Sequence, residues 1–130
     1  MISVSNNFLR LGVLSALVGM SMGVWMGANE DFVLRPVHAH INVLGFASMM
    51  LFGLFYRVFP AAARGWLPMA HFAQSVLGFL ILMPSLALML MQKPFFLPAM
   101  IASEIMLVGS MLLFVIIVFM ATMKKEPAAA

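Results

Sequence analysis

The sequence predicts an all-α integral membrane protein, a four-helix bundle with both termini in the cytoplasm. Three observations predict it. Of the 130 residues, 65% are hydrophobic and 8% charged, a balance that a soluble domain of this size cannot bury, because small domains leave much of their surface to solvent. Four apolar stretches each reach the roughly 20 residues that a bilayer core of about 30 Å asks of a helix. The basic residues fall unevenly between the two ends of those stretches: Arg10, Arg57, Arg64, Lys124 and Lys125 on one side, Arg35 and Lys93 on the other. Cytoplasmic flanks retain positive charge, which assigns the richer side to the cytoplasm.

The first span runs from about Phe8 to Gly27, the second from about Val37 to Phe59, the third from about Leu67 to Met91 and the fourth from about Leu97 to Met123. The first is not read as a signal peptide, since three spans follow it and no small-x-small cleavage site precedes Asn29. It carries Gly19, Gly23 and Gly27 at four-residue spacing, which strips one face of side chains and suits a packing seam inside the bundle better than an oligomer interface. Short links built on Asn29 to Pro36, Pro60 to Gly65 and Gln92 to Pro94 make neighbouring helices antiparallel. Pro84 falls inside the third span, removes a backbone donor and predicts a kink. Residues 1–123 thus form one transmembrane domain, and 124–130, with charge, Pro127 and alanines, form a disordered cytoplasmic tail.

Composition narrows the chemistry. A net charge of +3 spread along an apolar chain makes no nucleic-acid footprint, because phosphate binding needs clustered Lys and Arg. With no Cys there is no disulfide framework, thiolate metal site, iron-sulfur cluster or covalent heme attachment. The fifteen Met are scattered through all four spans and read as flexible packing in place of Leu.

An ionisable side chain within lipid is costly, so each one is a functional candidate. His38, His40, His71 and Glu104 qualify. His38 and His40 lie one or two turns below the outer surface, and at about 100° per residue their rings point in nearly opposite directions. One helix therefore cannot chelate a single metal with both. Two planar cofactors, one on each side, suit them, and Arg35, about one turn above His38, is placed to meet a propionate. His71 lies near the cytoplasmic surface, roughly 20 Å along the normal from His40, too far to share a heme with it, and a structural contact with Gln74 or Tyr56 is expected. Glu104 lies about two turns into the fourth span on the same side as His38 and His40. Buried there, it needs a partner such as Arg35, Ser103 or a His ring nitrogen, and it either orients an axial imidazole, carries a proton or holds helices together.

The run His38-Ala39-His40-Ile41-Asn42-Val43-Leu44-Gly45, continuing through Phe52-Gly53-Leu54-Phe55-Tyr56 to Phe59-Pro60, resembles the tenth helix of subunit I of the heme-copper oxidases. Ala70-His71-Phe72 and Leu77-Gly78-Phe79 resemble the start of its eleventh. The likeness spans about Arg35 to Leu86, under half of the chain, and its most specific parts are His-x-His and Gly-x-x-Tyr. It implies that His38 ligates a high-spin heme and His40 a low-spin one, and that His71 is no heme ligand. The family's copper centre needs a His-Pro-x-x-x-Tyr element and a His-His pair, which this chain lacks, so a complete oxygen or nitric oxide reductase is not implied. The remaining axial position is either open or filled by a second copy of the chain.

The resulting expectation is a small membrane protein of the bacterial inner membrane that binds heme b through His38 and His40, with Arg35 and Glu104 at the cofactor, and works in electron transfer or in heme-linked oxygen or nitric oxide chemistry with a redox partner. Its self-association is expected to be a trimer with heme at the subunit interfaces, His38 of one copy facing His40 of the next. Two rival readings remain: a small proton-coupled cation exporter using Glu104, and a structural assembly subunit of an oxidase.

Overall fold

The computed structural model describes residues 3–123, which are helical apart from short connections. The expected tail, 124–130, lies outside the described residues. Four helices are long and apolar enough to cross a membrane: Val4–Asn29, Arg35–Val58, Trp66–Leu90 and Leu97–Thr122. We refer to them as the first to fourth helix.

Their ends follow local chemistry rather than hydropathy. The first helix starts four residues before Phe8 because the Ser3 side chain accepts a hydrogen bond from the Asn6 backbone N–H at 3.2 Å, satisfying a donor that a helix start leaves free. It ends at Glu30, whose left-handed φ of 52° closes the last turn onto Gly27 and Met26 carbonyls. Pro36 and Pro98 sit in the first turns of the second and fourth helices, where a missing N–H costs nothing. Gly65, with φ of 90°, turns the chain into the third helix. That helix continues through Pro84 to Leu90.

Small residues let the helices approach. On the first helix, a Cβ at Gly12 would meet the Met50 side chain at 2.8 Å, one at Gly19 would meet Asn42 Oδ1 at 2.5 Å, and one at Gly23 would meet His38 Cε1 at 2.9 Å. Gly45 and Gly53 answer from the second helix against Ser15 and Leu9, and Ser5 Oγ donates to the Gly53 carbonyl at 2.9 Å. The glycine face is thus a seam within the chain, although Gly27 stands free of it. A second seam joins the third and fourth helices, with Gly78 against the Ser103 carbonyl and Leu107.

Two apolar clusters fill the interior. Phe8, Met49, Phe52, Tyr56 and Ile117 pack at the end carrying Arg57 and Arg64, and Val37, Ile41, Leu82, Met83, Leu86 and Met100 pack at the other. Between His40 and Met49 the second helix widens into a π-helical stretch, Ile41–Ser48. Side-chain donors brace both borders: Asn42 Nδ2 donates to the His38 carbonyl at 3.0 Å and Ser48 Oγ to the Val43 carbonyl at 2.8 Å. Such stretches frequently lie at functional sites.

Candidate functional site

The two histidines of the His-Ala-His run meet different surroundings. His38 is half-buried in the first-helix seam. Its Nδ1–H donates to the Gly19 carbonyl at 2.8 Å. Asn42 Nδ2 lies 3.4 Å from both ring nitrogens, beside the ring and not along the Nε2 lone pair, and the Cε1 edge of the ring fills the place where Gly23 lacks a side chain.

His40 is exposed, and its Nδ1–H donates to the Pro36 carbonyl at 2.7 Å. Because a carbonyl can only accept, this bond fixes the tautomer and leaves the Nε2 lone pair free, the arrangement in which a histidine is set up as a metal ligand. The ring stands at the edge of a groove of about 390 Å³ whose walls are Leu44, Leu82, Leu86, Leu107, Val108 and Met111, with Glu104 on the fourth-helix side. The groove is open outward, so a planar apolar ligand lying in it would be covered on one face by this chain.

Glu104 corrects an expectation. It was expected to be buried and partnered, but it is exposed and has no hydrogen-bond or ion-pair partner among the described residues. The reason is the phase of the fourth helix: its buried positions are Met100, Ser103, Ser110 and Ile117, and Glu104, about 100° round from Ser103, falls on the groove side. None of the three named partners bonds to it, the His ring nitrogens included. Ser103 Oγ donates to the Met100 carbonyl at 2.6 Å, and the exposed Arg35 guanidinium lies over the Phe32 ring at 5.2 Å.

His71 is wholly buried at the opposite end. It is hydrogen-bonded through Nδ1 to the Tyr56 hydroxyl at 2.9 Å and enclosed by Phe8, Phe52 and Phe114 at ring-centroid distances of 5.1, 4.6 and 5.1 Å. Of the two contacts expected from sequence, Tyr56 is the one formed.

Sequence reasoning missed the groove walls and the bracing role of Asn42. Leu and Met that line a groove look like Leu and Met that face lipid, so no signal marked them. For Asn42 a signal existed, since it stands four residues from His38 on one helix face.

Among the described residues no group of three or more His, Asp or Glu could hold a metal ion. No protein-family model, curated protein or solved structure matches the chain.

Proposed function

We propose that this chain is a b-type heme protein of a bacterial cytoplasmic membrane, related to subunit I of the heme-copper oxidases, with both termini on the cytoplasmic side. It serves electron transfer or heme-linked chemistry of oxygen or nitric oxide. The observation that carries the reading is His40: an imidazole with its Nδ1–H fixed on the Pro36 carbonyl and its Nε2 free beside an apolar groove. Heme would supply a redox-active iron there. The chain's own contributions would be the His40 Nε2, a wall of Leu, Val and Met along one face, and the Glu104 carboxylate on the fourth-helix side of the groove. Arg35, at the start of the same helix, lies nearer the flank of His38 than that of His40 and has its guanidinium over the Phe32 ring, so it is not part of this site as the side chains stand. Attachment is noncovalent, as the chain has no Cys.

We assign this role to His40, the exposed one of the two histidines, because the His38 ring is packed against the first helix at Gly19 and Gly23. With His40 as the ligand from each chain, the iron's remaining ligand would come from a neighbour or from a small molecule. We propose a two-fold pair of chains sharing one heme between their His40 rings. The trimer expected from sequence requires a free His38 on the opposite face.

Optical spectra of the purified protein, oxidised, reduced with dithionite and then exposed to carbon monoxide, test the reading. Expected are b-type heme bands that disappear in His40→Ala and persist in His71→Ala. A colourless folded protein from heme-replete cells overturns it. The exposed Glu104 favours the exporter as the second reading, and that reading requires Glu104→Gln to abolish cation-driven proton movement in vesicles while His40→Ala leaves it intact.

A further inference from the structure

We infer that the third helix holds one internal water molecule, bound by His71, Gln74 and Ser75, as part of a buried chain that begins at Tyr56. His71 Nε2, Gln74 Oε1 and Ser75 Oγ are all buried without a hydrogen-bond partner among the described residues. His71 is 0% and Ser75 2% exposed. Spaced at i, i+3 and i+4, the three residues share one helix face. The Gln74 oxygen is directed at the fourth helix, 3.1 Å from where a Gly109 Cβ would stand, so the glycine lets the amide approach that helix closely.

The balance of donors and acceptors identifies the ligand. The Tyr56–His71 bond of 2.9 Å has two possible directions. If Nδ1–H donated to the phenol oxygen, the Tyr56 proton would have no acceptor and Nε2 would be a bare lone pair, leaving two groups unsatisfied. If the Tyr56 O–H donates to Nδ1, the phenol is satisfied and Nε2 carries the ring proton. The second direction leaves fewer groups unpaired in an apolar interior, where each is costly. What remains is one donor, Nε2–H, one acceptor, Gln74 Oε1, and the Ser75 hydroxyl, which is both. A water accepts from Nε2–H, donates to Oε1 and exchanges its remaining bond with Ser75. Three polar partners are the usual number for a buried water, whereas a cation would repel the Nε2–H proton and an anion would repel the Gln74 oxygen.

Magic-angle-spinning NMR of the full-length, ¹⁵N-labelled protein in lipid bilayers tests this, with the His71 ring assigned through Ala70 and Phe72. Expected are a protonated Nε2, an unprotonated Nδ1 and a cross-peak from the Nε2 proton to water. In the variant carrying both Gln74→Leu and Ser75→Ala, the water cross-peak is expected to disappear while the Nδ1 signal of the Tyr56 bond remains. A protonated Nδ1 in the unaltered protein, or an Nε2 proton that contacts Ser75 directly and no water, overturns the proposal without recourse to any variant. Retention of the cross-peak in the double variant overturns the assignment of its ligands.

Discussion

Two histidines separated by one alanine behave differently because their side chains lie on opposite flanks of one helix, and the neighbours on those flanks differ. His38 meets glycines and becomes a helix-to-helix clasp, while His40 meets Leu, Val and Met and keeps a nitrogen free. His40→Ala is therefore expected to abolish heme retention. His38→Ala is expected to retain heme per folded molecule but to lower stability by roughly 1–3 kcal/mol, since it leaves the Gly19 carbonyl and Asn42 amide with one partner fewer. Heme-to-protein ratio after gel filtration, read with a thermal melt, separates the two effects, and equal heme loss in both variants would return His38 to the ligand set. At Tyr56, removal of the hydroxyl strands His71 Nδ1 in an aromatic enclosure. Tyr56→Phe is expected to cost roughly 1–3 kcal/mol without altering heme content, and an unchanged melting temperature would show that the bond contributes nothing net.

The elements were legible to different degrees, and for physical reasons. Four spans could be read because hydrocarbon-length apolar stretches separated by Pro, Gly and charge leave little choice of structure. The start at Val4 could not be read from hydropathy, since it depends on one capping oxygen at Ser3. The π-helical stretch was also hidden, because a helix that is apolar all round has no polar stripe whose drift would reveal a wider turn. It matters for the site: the stretch sets the rotation of His40 relative to Phe52 and Tyr56 further along the same helix. Deleting Ala47 should let the stretch relax to an α-helix and, because a π-turn holds one residue more than an α-turn, leave the His40 and Tyr56 ends nearly in phase. Expected is a protein with unchanged helical content by circular dichroism that keeps its heme. Loss of heme in that variant would mean that the site needs the wide turn itself and not only the rotation of its flanking ends.

At the scale of the whole molecule, the fourth helix presents a problem that the single chain does not solve. Ile105 is 67% exposed, as a lipid-facing residue should be, yet Glu104 stands exposed beside it and lines the groove together with Val108. A carboxylate facing hydrocarbon is costly, and such residues almost always face protein or a polar cavity. A second copy seated on the groove would cover Glu104 and the open face of a bound heme together. Because the contact would pair His40 with His40 through one iron, it would use the same surface on both chains, and a self-complementary contact closes as a two-fold dimer. A head-to-tail ring would instead pair two different surfaces, and the second of them, at His38, is occupied by the first helix. The expected mass in mild detergent is that of two chains with one six-coordinate heme between them, and His40→Ala should shift the population towards monomer by removing the shared ligand. A three-chain particle with one heme per chain would require the first helix to release His38, and a monomer with fully six-coordinate heme would defeat the argument outright, since His38 is packed on the first helix and His40 is the exposed imidazole at this end of the bundle.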